Sequence, residues 1–391
     1  MAQKKTTKKG LLDKLGMRRV PGQRGIDYTF LFLIMLLLSI GLVMLLSASA
    51  PPGASKYNDS YYFFKKQLLF VVVGLVGMVV VSKIDYRIYK KYSTLFFGIC
   101  VVLLILVAIP GVGVSLNGSR RWLQLPGFQL QPSEFMKLAI AMFFAERIST
   151  GRFNVATRKD FGYFAVTLGV VALLMLLEPH LSGTIVIVGI GLWILVAAGT
   201  KILPFVIGLP IAGVLGFILI YFFDANRLAR IMRFISPFED MQYTGYQIAQ
   251  ALYAMGSGGL FGRGLGQSVQ KYSYLPEPYN DFIFSIACEE LGLIGGAIII
   301  AIFALLILRG FRIALNAPDS FGTLLATGIM AQIAIQTTLN IAVATSSVPN
   351  TGVSLPFFSY GGTAILVILI EMGILLNISR ASVNEHGSLG K

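Results

Sequence analysis

The sequence predicts an all-α, polytopic membrane protein with about ten transmembrane helices and a long extracellular loop containing an amphipathic helix. Three observations lead there. Of 391 residues, 55% are hydrophobic and only 13% charged, a balance too apolar for an ordinary soluble domain. Apolar runs near the ~20 residues needed to cross ~30 Å of hydrocarbon recur along the whole chain. The connections between those runs alternate in charge as membrane topology requires.

Residues 1–26 form a basic tail with Lys4, Lys5, Lys8, Lys9, Lys14, Arg18, Arg19 and Arg24, which holds much of the formal charge of +14. Cations just before a first span are the positive-inside signature, so the tail is expected in the cytoplasm and nucleic acid is not the expected partner. Small residues Ser47 to Ala50 follow the first apolar run. That run is longer than the ~7–15 residues of a signal-peptide core, so it is read as a retained span.

The membrane domain, 27–379, divides into spans at 27–48, 63–82, 93–111, 133–149, 160–177, 183–200, 203–223, 281–309, 320–344 and 356–379, and 380–391 is a second cytoplasmic tail. The inside connections then carry Lys83, Arg87, Lys90 and Lys91, next Arg147, Arg152, Arg158 and Lys159, then Lys201, then Arg309 and Arg312, and finally Arg380. Cys100 and Cys288 both fall in apolar spans, which supports neither a disulfide framework nor a cysteine metal cage. With His180 and His386 the only histidines, a histidine metal site is not expected either.

Segments 112–132, 224–280 and 345–355 lie outside in this count. Arg120 and Arg121 in the first, and Arg227, Arg230, Arg233, Arg263 and Lys271 in the second, break the charge rule. Long loops escape topology bias, so these are either solvated cations or the partners of an anion at the membrane surface, such as a lipid-linked diphosphate. Phe238 to Met255 has the mixed pattern of a helix lying in the interface and is expected to line a groove. The glycines from Gly256 to Gly266 lack the Gly-Lys-Ser/Thr ending and preceding strand of a nucleotide loop, and are read as tight turns.

Pro276-Glu277-Pro278-Tyr279-Asn280-Asp281 closes the long loop. Spacing of four places Asp281, Ser285 and Glu289 on one helical face, and Glu289 falls roughly 12 Å into the span. An ionised carboxylate there is costly unless paired or wet, so this face is expected to meet a polar cavity. Asp281 is either a cap for the helix start or a general base at the cavity rim. In Asn117 to Trp122 and Gln131 to Lys137, Ser133 can cap a helix and Glu134 can pair with Lys137. Alternatively, Arg121 and Lys137 contact phosphate while Trp122 packs at the interface or on a sugar face. Pro349 to Thr363 looks like a broken helix near a cavity. In Glu178-Pro179-His180, a tight outside turn, His180 reads as a surface residue.

These motifs, in this order, resemble the SEDS family, the shape, elongation, division and sporulation proteins RodA, FtsW and SpoVE. The shared stretches include Asn117-Gly118-Ser119, Arg121-Trp122, Gln131 to Phe135 with Lys137, Gly258 to Gly262, Gly264 to Ser268, Pro276-Glu277-Pro278, Asp281 to Phe284, Glu289 to Gly292, Leu355 to Phe357 and Ser359 to Gly362. The Pro-Glu-Pro motif looks closer to FtsW and SpoVE than to RodA. The resemblance implies a ten-span peptidoglycan glycosyltransferase that polymerises lipid II and works with a class B penicillin-binding protein, and it matches Asp281 to an essential outer aspartate. Where the family commonly carries Gln-Pro-Asp, this chain has Glu178-Pro179-His180 with one residue inserted after it, and Asn280 replaces a frequent threonine.

The expectation is thus an inverting transfer with Asp281 as general base and Arg121, Trp122, Glu134, Lys137, Arg230, Lys271, Glu277 and Ser359 as substrate-binding residues. A divalent cation, Mg or Mn, is a candidate addition, with no ligands assigned. Expected partners are the transpeptidase, lipid II, divisome or related wall-synthesis proteins and membrane lipids. A lipid II flippase is the alternative, since ten spans with intramembrane carboxylates also suit a translocation path. A scaffold leaves the buried Glu289 unexplained.

Overall fold

The structure, a computed structural model, describes residues 25–116, 119–126, 128–154, 157–178, 180–200, 234, 238 and 244–388. The expected span 203–223 and residues Arg227, Arg230 and Arg233 lie outside the described residues. Within them the chain forms α1 (Tyr28–Tyr57), α2 (Tyr62–Lys83), α3 (Arg87–Ala108), α4 (Pro132–Ser149), α5 (Arg158–Leu177), α6 (Leu181–Ala197), α7 (Thr244–Gly258), α8 (Ile283–Leu315), α9 (Ser320–Ala344) and α10 (Gly362–Ser388). Seven of these helices are long and apolar enough to cross a membrane. This is the helical, multi-pass architecture that the composition predicts.

Segment 112–132 adds a feature that a hydropathy pattern does not resolve. It folds as a three-stranded antiparallel sheet of β1 (Gly113–Leu116), β2 (Ser119–Leu125) and β3 (Phe128–Leu130). Val114 stands opposite Trp122, and Leu123 opposite Leu130. Short runs rich in Val, Leu and Trp suit a pleated, half-buried surface, and pairing on both sides of β2 satisfies its backbone groups.

Burial separates a centre from a lipid-facing ring. On α2, α3, α5 and α8, large apolar side chains such as Leu69, Val76, Leu95, Val102, Val166, Leu173, Leu293 and Leu305 are exposed, as hydrocarbon permits. Helix α4 is the reverse. From Pro132 to Glu146 all but one of its residues are buried, because α3, α6, α9 and the sheet pack around it. Carrying Glu134, Lys137, Glu146 and Arg147, it is too polar to face lipid, and the surrounding helices supply its partners.

Connections sort onto two faces. On one, the main-chain N–H of Asp27 donates to Ser379 Oγ (3.3 Å), Arg309 pairs with Asp27 (2.7 Å), Arg87 pairs with Asp319 (3.2 Å), and Asn377 donates to the carbonyl of Ser82 (2.8 Å). On the other lie the sheet, the α1–α2 turn and the loop before α8. An aromatic cluster gathers there, with Tyr57 stacked on Tyr62 at 3.7 Å and Phe63 4.4 Å from Tyr279.

Candidate active site

Asp281 is held by its own main chain. The proline pair Pro276 and Pro278 and the left-handed Glu277 (φ 48°) keep the chain in turns until Phe282, so α8 begins at Ile283 with Phe282 as its N-cap and no capping side chain. Asp281 is therefore not a helix cap, which removes one of the two readings left open above. Asn340, fully buried near the end of α9, donates from Nδ2 to the carbonyls of Asp281 (2.8 Å) and Val353 (2.7 Å). Ser359 Oγ donates to the carbonyl of Asn280 (2.7 Å) and accepts the N–H of Leu355 (2.8 Å). Tyr360 N–H donates to the carbonyl of Tyr279 (2.9 Å). Three residues from two segments, α9 and the loop before α10, thus clamp the backbone from Tyr279 to Asp281.

The carboxylate itself is half-buried and points at Gly352. A Cβ added at Gly352, where φ is +70°, would lie 3.3 Å from Asp281 Oδ2. Ser182, at the start of α6, donates to the carbonyl of Gly352 (3.3 Å), which brings that helix end to the same place. Burial and the nearby negative charge of Glu277 push Asp281 up to about 6, while the Arg121 guanidinium pulls the other way.

Arg121 is also the cation felt by two buried groups in the turn between α5 and α6. Glu178 is fully buried, neither carboxylate oxygen has a hydrogen-bond partner, and burial pushes it up to about 8 against the opposing pull of Arg121. His180 is buried, with Nδ1 unpartnered; burial, then Arg121, then Lys137 hold it well below the usual histidine range. Its ring lies over Gly183, where a Cβ would come within 2.8 Å of Nδ1. The surface role expected of His180 is corrected here: it is packed inside, with its ring against Gly183 at the start of α6.

The other expected residues divide. Glu134 and Lys137 form a buried pair at 2.7 Å, one turn apart on α4. Ser133 does not cap that helix; Gln131 is the N-cap, Pro132 occupies the first turn, and Ser133 Oγ is buried without a partner. Trp122 is half-buried on β2, and Glu277 accepts a hydrogen bond from Asn280 Nδ2 (2.7 Å). Arg230 lies outside the described residues. Lys271 is buried away from Asp281 and spends its N–H groups on Glu290 (2.9 Å), Ser47 Oγ (2.9 Å) and the carbonyl of Gly266 (2.7 Å).

Glu289 is the second correction. It does not share a face with Asp281, which precedes the helix; instead it accepts the N–H of Val269 (2.9 Å) and approaches Arg263 (3.7 Å). With Leu252, Tyr253, Gly256, Ser257, Arg263, Val269 and Gln270 it lines a separate cavity of about 330 Å³ against α7. Glu289 and Glu290 together bind the main chain of the glycine-rich loop onto α8. Among the described residues no group of three or more His, Cys, Asp or Glu is placed to hold a metal ion.

Asn340, Gly352 and Ser182 were not singled out from sequence. Asn340 had a signal, since Gln332, Gln336 and Asn340 recur every four residues along an otherwise apolar helix. Gly352 and Ser182 had none, because their role is a meeting of distant segments.

Residues 28–384 match the sequence profile of the FtsW, RodA and SpoVE family, described as cell cycle protein. The chain belongs to this family. Stage V sporulation protein E of Bacillus subtilis is 45% identical over 359 residues, covering 91% of this chain and 97% of the relative. A probable peptidoglycan glycosyltransferase FtsW of Trichlorobacter lovleyi is 40% identical over 354 residues, covering 90% and 93%. Among solved structures, the rod shape determining protein RodA of Thermus thermophilus superposes on this SEDS chain with a TM-score of 0.68 at 26% identity, covering 91% of this chain and 97% of RodA. A chain from a study of polymerization and crosslinking by a peptidoglycan synthase complex gives 0.77 at 24% identity, covering 91% and 98%, and so shares the fold.

Proposed function

We propose that this SEDS protein is a peptidoglycan glycosyltransferase that polymerises lipid II on the outer face of the cytoplasmic membrane, for wall synthesis in division or sporulation, with Asp281 as general base. The observation that carries the reading is the raised, half-buried Asp281 carboxylate on a backbone clamped by Asn340 and Ser359. A base poised near 6 is mostly ionised at neutral pH yet basic enough to accept a proton, the compromise that general-base catalysis favours.

The acceptor's 4-hydroxyl attacks the donor's anomeric carbon and gives its proton to Asp281. As the new C–O bond forms, the bond from that carbon to the undecaprenyl diphosphate oxygen breaks, and the electron pair leaves with the diphosphate. Arg121 is the cation offered to that developing charge, and Arg230 is a second candidate. Lys137, tied to Glu134, acts through its field. Trp122 offers a ring to a sugar face, and Ser359 and Glu277 position Asn280 and hence Asp281.

Asp27 bonded to Ser379 puts both ends of the membrane domain on one face, and the basic connections share it. That arrangement supports cytoplasmic termini and an outward Asp281. The partner proposed is a class B penicillin-binding protein supplying the transpeptidase. One observation favours the flippase alternative: Glu371, bonded to Gln332 (3.0 Å), is a carboxylate well inside the bundle. Vesicles containing this chain and its partner, with lipid II confined to one leaflet, separate the two. Polymer made only from the leaflet that Asp281 faces supports the polymerase; lipid II crossing without polymer supports the flippase.

A further inference from the structure

On the face remote from Asp281, a cavity of about 410 Å³ is lined by Arg87, Lys90, Lys91, Thr94, Glu146 and Arg152. Helix α4 sets the separation. It starts beside the sheet and ends near this cavity 18 residues later, roughly 27 Å along its axis.

Arg87, Lys90, Lys91 and Thr94 recur at intervals of three and four, so one face of α3 supplies them. Arg147 joins from α4, 3.5 Å from Thr94 Oγ1. The carboxylates nearby are already engaged: Glu146 with Arg147 (3.5 Å) and Arg152 (3.2 Å), and Asp319 with Arg87 (3.2 Å). Among the described residues Lys90 and Lys91 have no carboxylate partner; their ammonium groups lie 6.0 Å from the Phe321 ring and 5.5 Å from the Tyr92 ring. Positive charge is in excess here, around a shallow, open depression.

The same face of α3 then continues into the hydrocarbon. At Gly98 an added Cβ would meet nothing within 4 Å, and Leu95, Ile99 and Val102 beside it are exposed. A cationic mouth at the interface opening onto an apolar furrow matches a molecule with an anionic head and an acyl tail. An acidic protein segment would use the mouth and leave the furrow empty.

We propose that this cavity binds the phosphate headgroup of an anionic glycerophospholipid in the leaflet remote from Asp281, with an acyl chain lying along α3 past Gly98.

The test is retention of phosphatidylglycerol against phosphatidylcholine by the full chain, read by native mass spectrometry after reconstitution in mixed-lipid nanodiscs. The wild type should prefer phosphatidylglycerol. Each lysine near the surface contributes about fivefold, so Lys90→Gln with Lys91→Gln should weaken the preference by roughly 25-fold. Lys65→Gln with Lys66→Gln, on the opposite face, should leave it intact. Gly98→Leu fills the furrow without altering charge and should weaken retention as well. Unchanged retention in the Lys90 and Lys91 variant overturns the proposal. So does a site indifferent to Gly98→Leu and emptied by inorganic phosphate, which would be a site for the free anion. Melting of each variant in phosphatidylcholine reports its fold, and the Gly98→Leu arm decides if the lysine variant is unfolded.

Discussion

Asp281 is set by three opposing influences: desolvation and the Glu277 charge raise it, and Arg121 lowers it. The rate of polymerisation should therefore rise with pH along a limb centred near 6, well above an ordinary aspartate. Arg121→Gln should move that limb to higher pH and Glu277→Gln to lower pH, measured as kcat/KM against pH. Glu178 gives a stability counterpart. Its folded value, about 8, lies above its ordinary value of 4.5, so the folded state binds the extra proton between them. Stability from this group is full below about 4.5 and is lost as pH rises toward about 8. Glu178→Gln removes the ionisation, so its melting temperature should exceed that of the wild type at pH 8 and converge with it near pH 4.5. At this scale the place of Asp281 at the end of the long loop was legible from its sequence motif, whereas its freedom from capping was not. That depended on Pro278 and the left-handed Glu277 delaying the helix to Ile283.

At the level of elements, the glycine-rich loop and α8 form one unit. Gly292 has φ 74° and ψ −176°, and a Cβ there would sit 2.3 Å from the backbone nitrogen of Gly262. Backbone of this kind is open essentially to glycine alone. Gly292→Ala should cost at least ~1–3 kcal/mol from strain, with the clash added, seen as a lower melting temperature. The Lys271–Glu290 pair, fully buried, locks the same loop. Glu290→Gln leaves an ammonium without its charge partner, a loss of about 3–5 kcal/mol. Thermal unfolding checks both, and a melting point equal to that of the wild type would remove the structural role given to Lys271. The sequence placed Lys271 among outer cations but could not distinguish a diphosphate from Glu290 as its counter-ion, because residues 19 apart meet only through the loop's turns. The sheet was hidden for a similar reason. Three strands of 4, 7 and 3 residues are too short for a period to emerge from a hydropathy pattern.

Across the whole molecule, the bilayer explains most of what the sequence made visible. Apolar length and basic connections predicted the helices, and those connections do gather on one face through Asp27, Arg87, Arg309 and Ser379. What hydropathy could not reveal is which polar groups inside the membrane meet. Glu134 with Lys137 was a local pair and readable; Asn340 with the Asp281 carbonyl joins segments 59 residues apart and was not. In the proposed function, Asn340 and Ser359 hold the backbone from which the Asp281 carboxylate acts. The most direct measurement is lipid II polymerisation by purified Asp281→Asn protein with its transpeptidase partner, at matched lipid II binding and melting temperature. A fall of about 10²–10⁴-fold in rate is expected if this carboxylate takes the proton. Polymer produced at the wild-type rate would contradict the account.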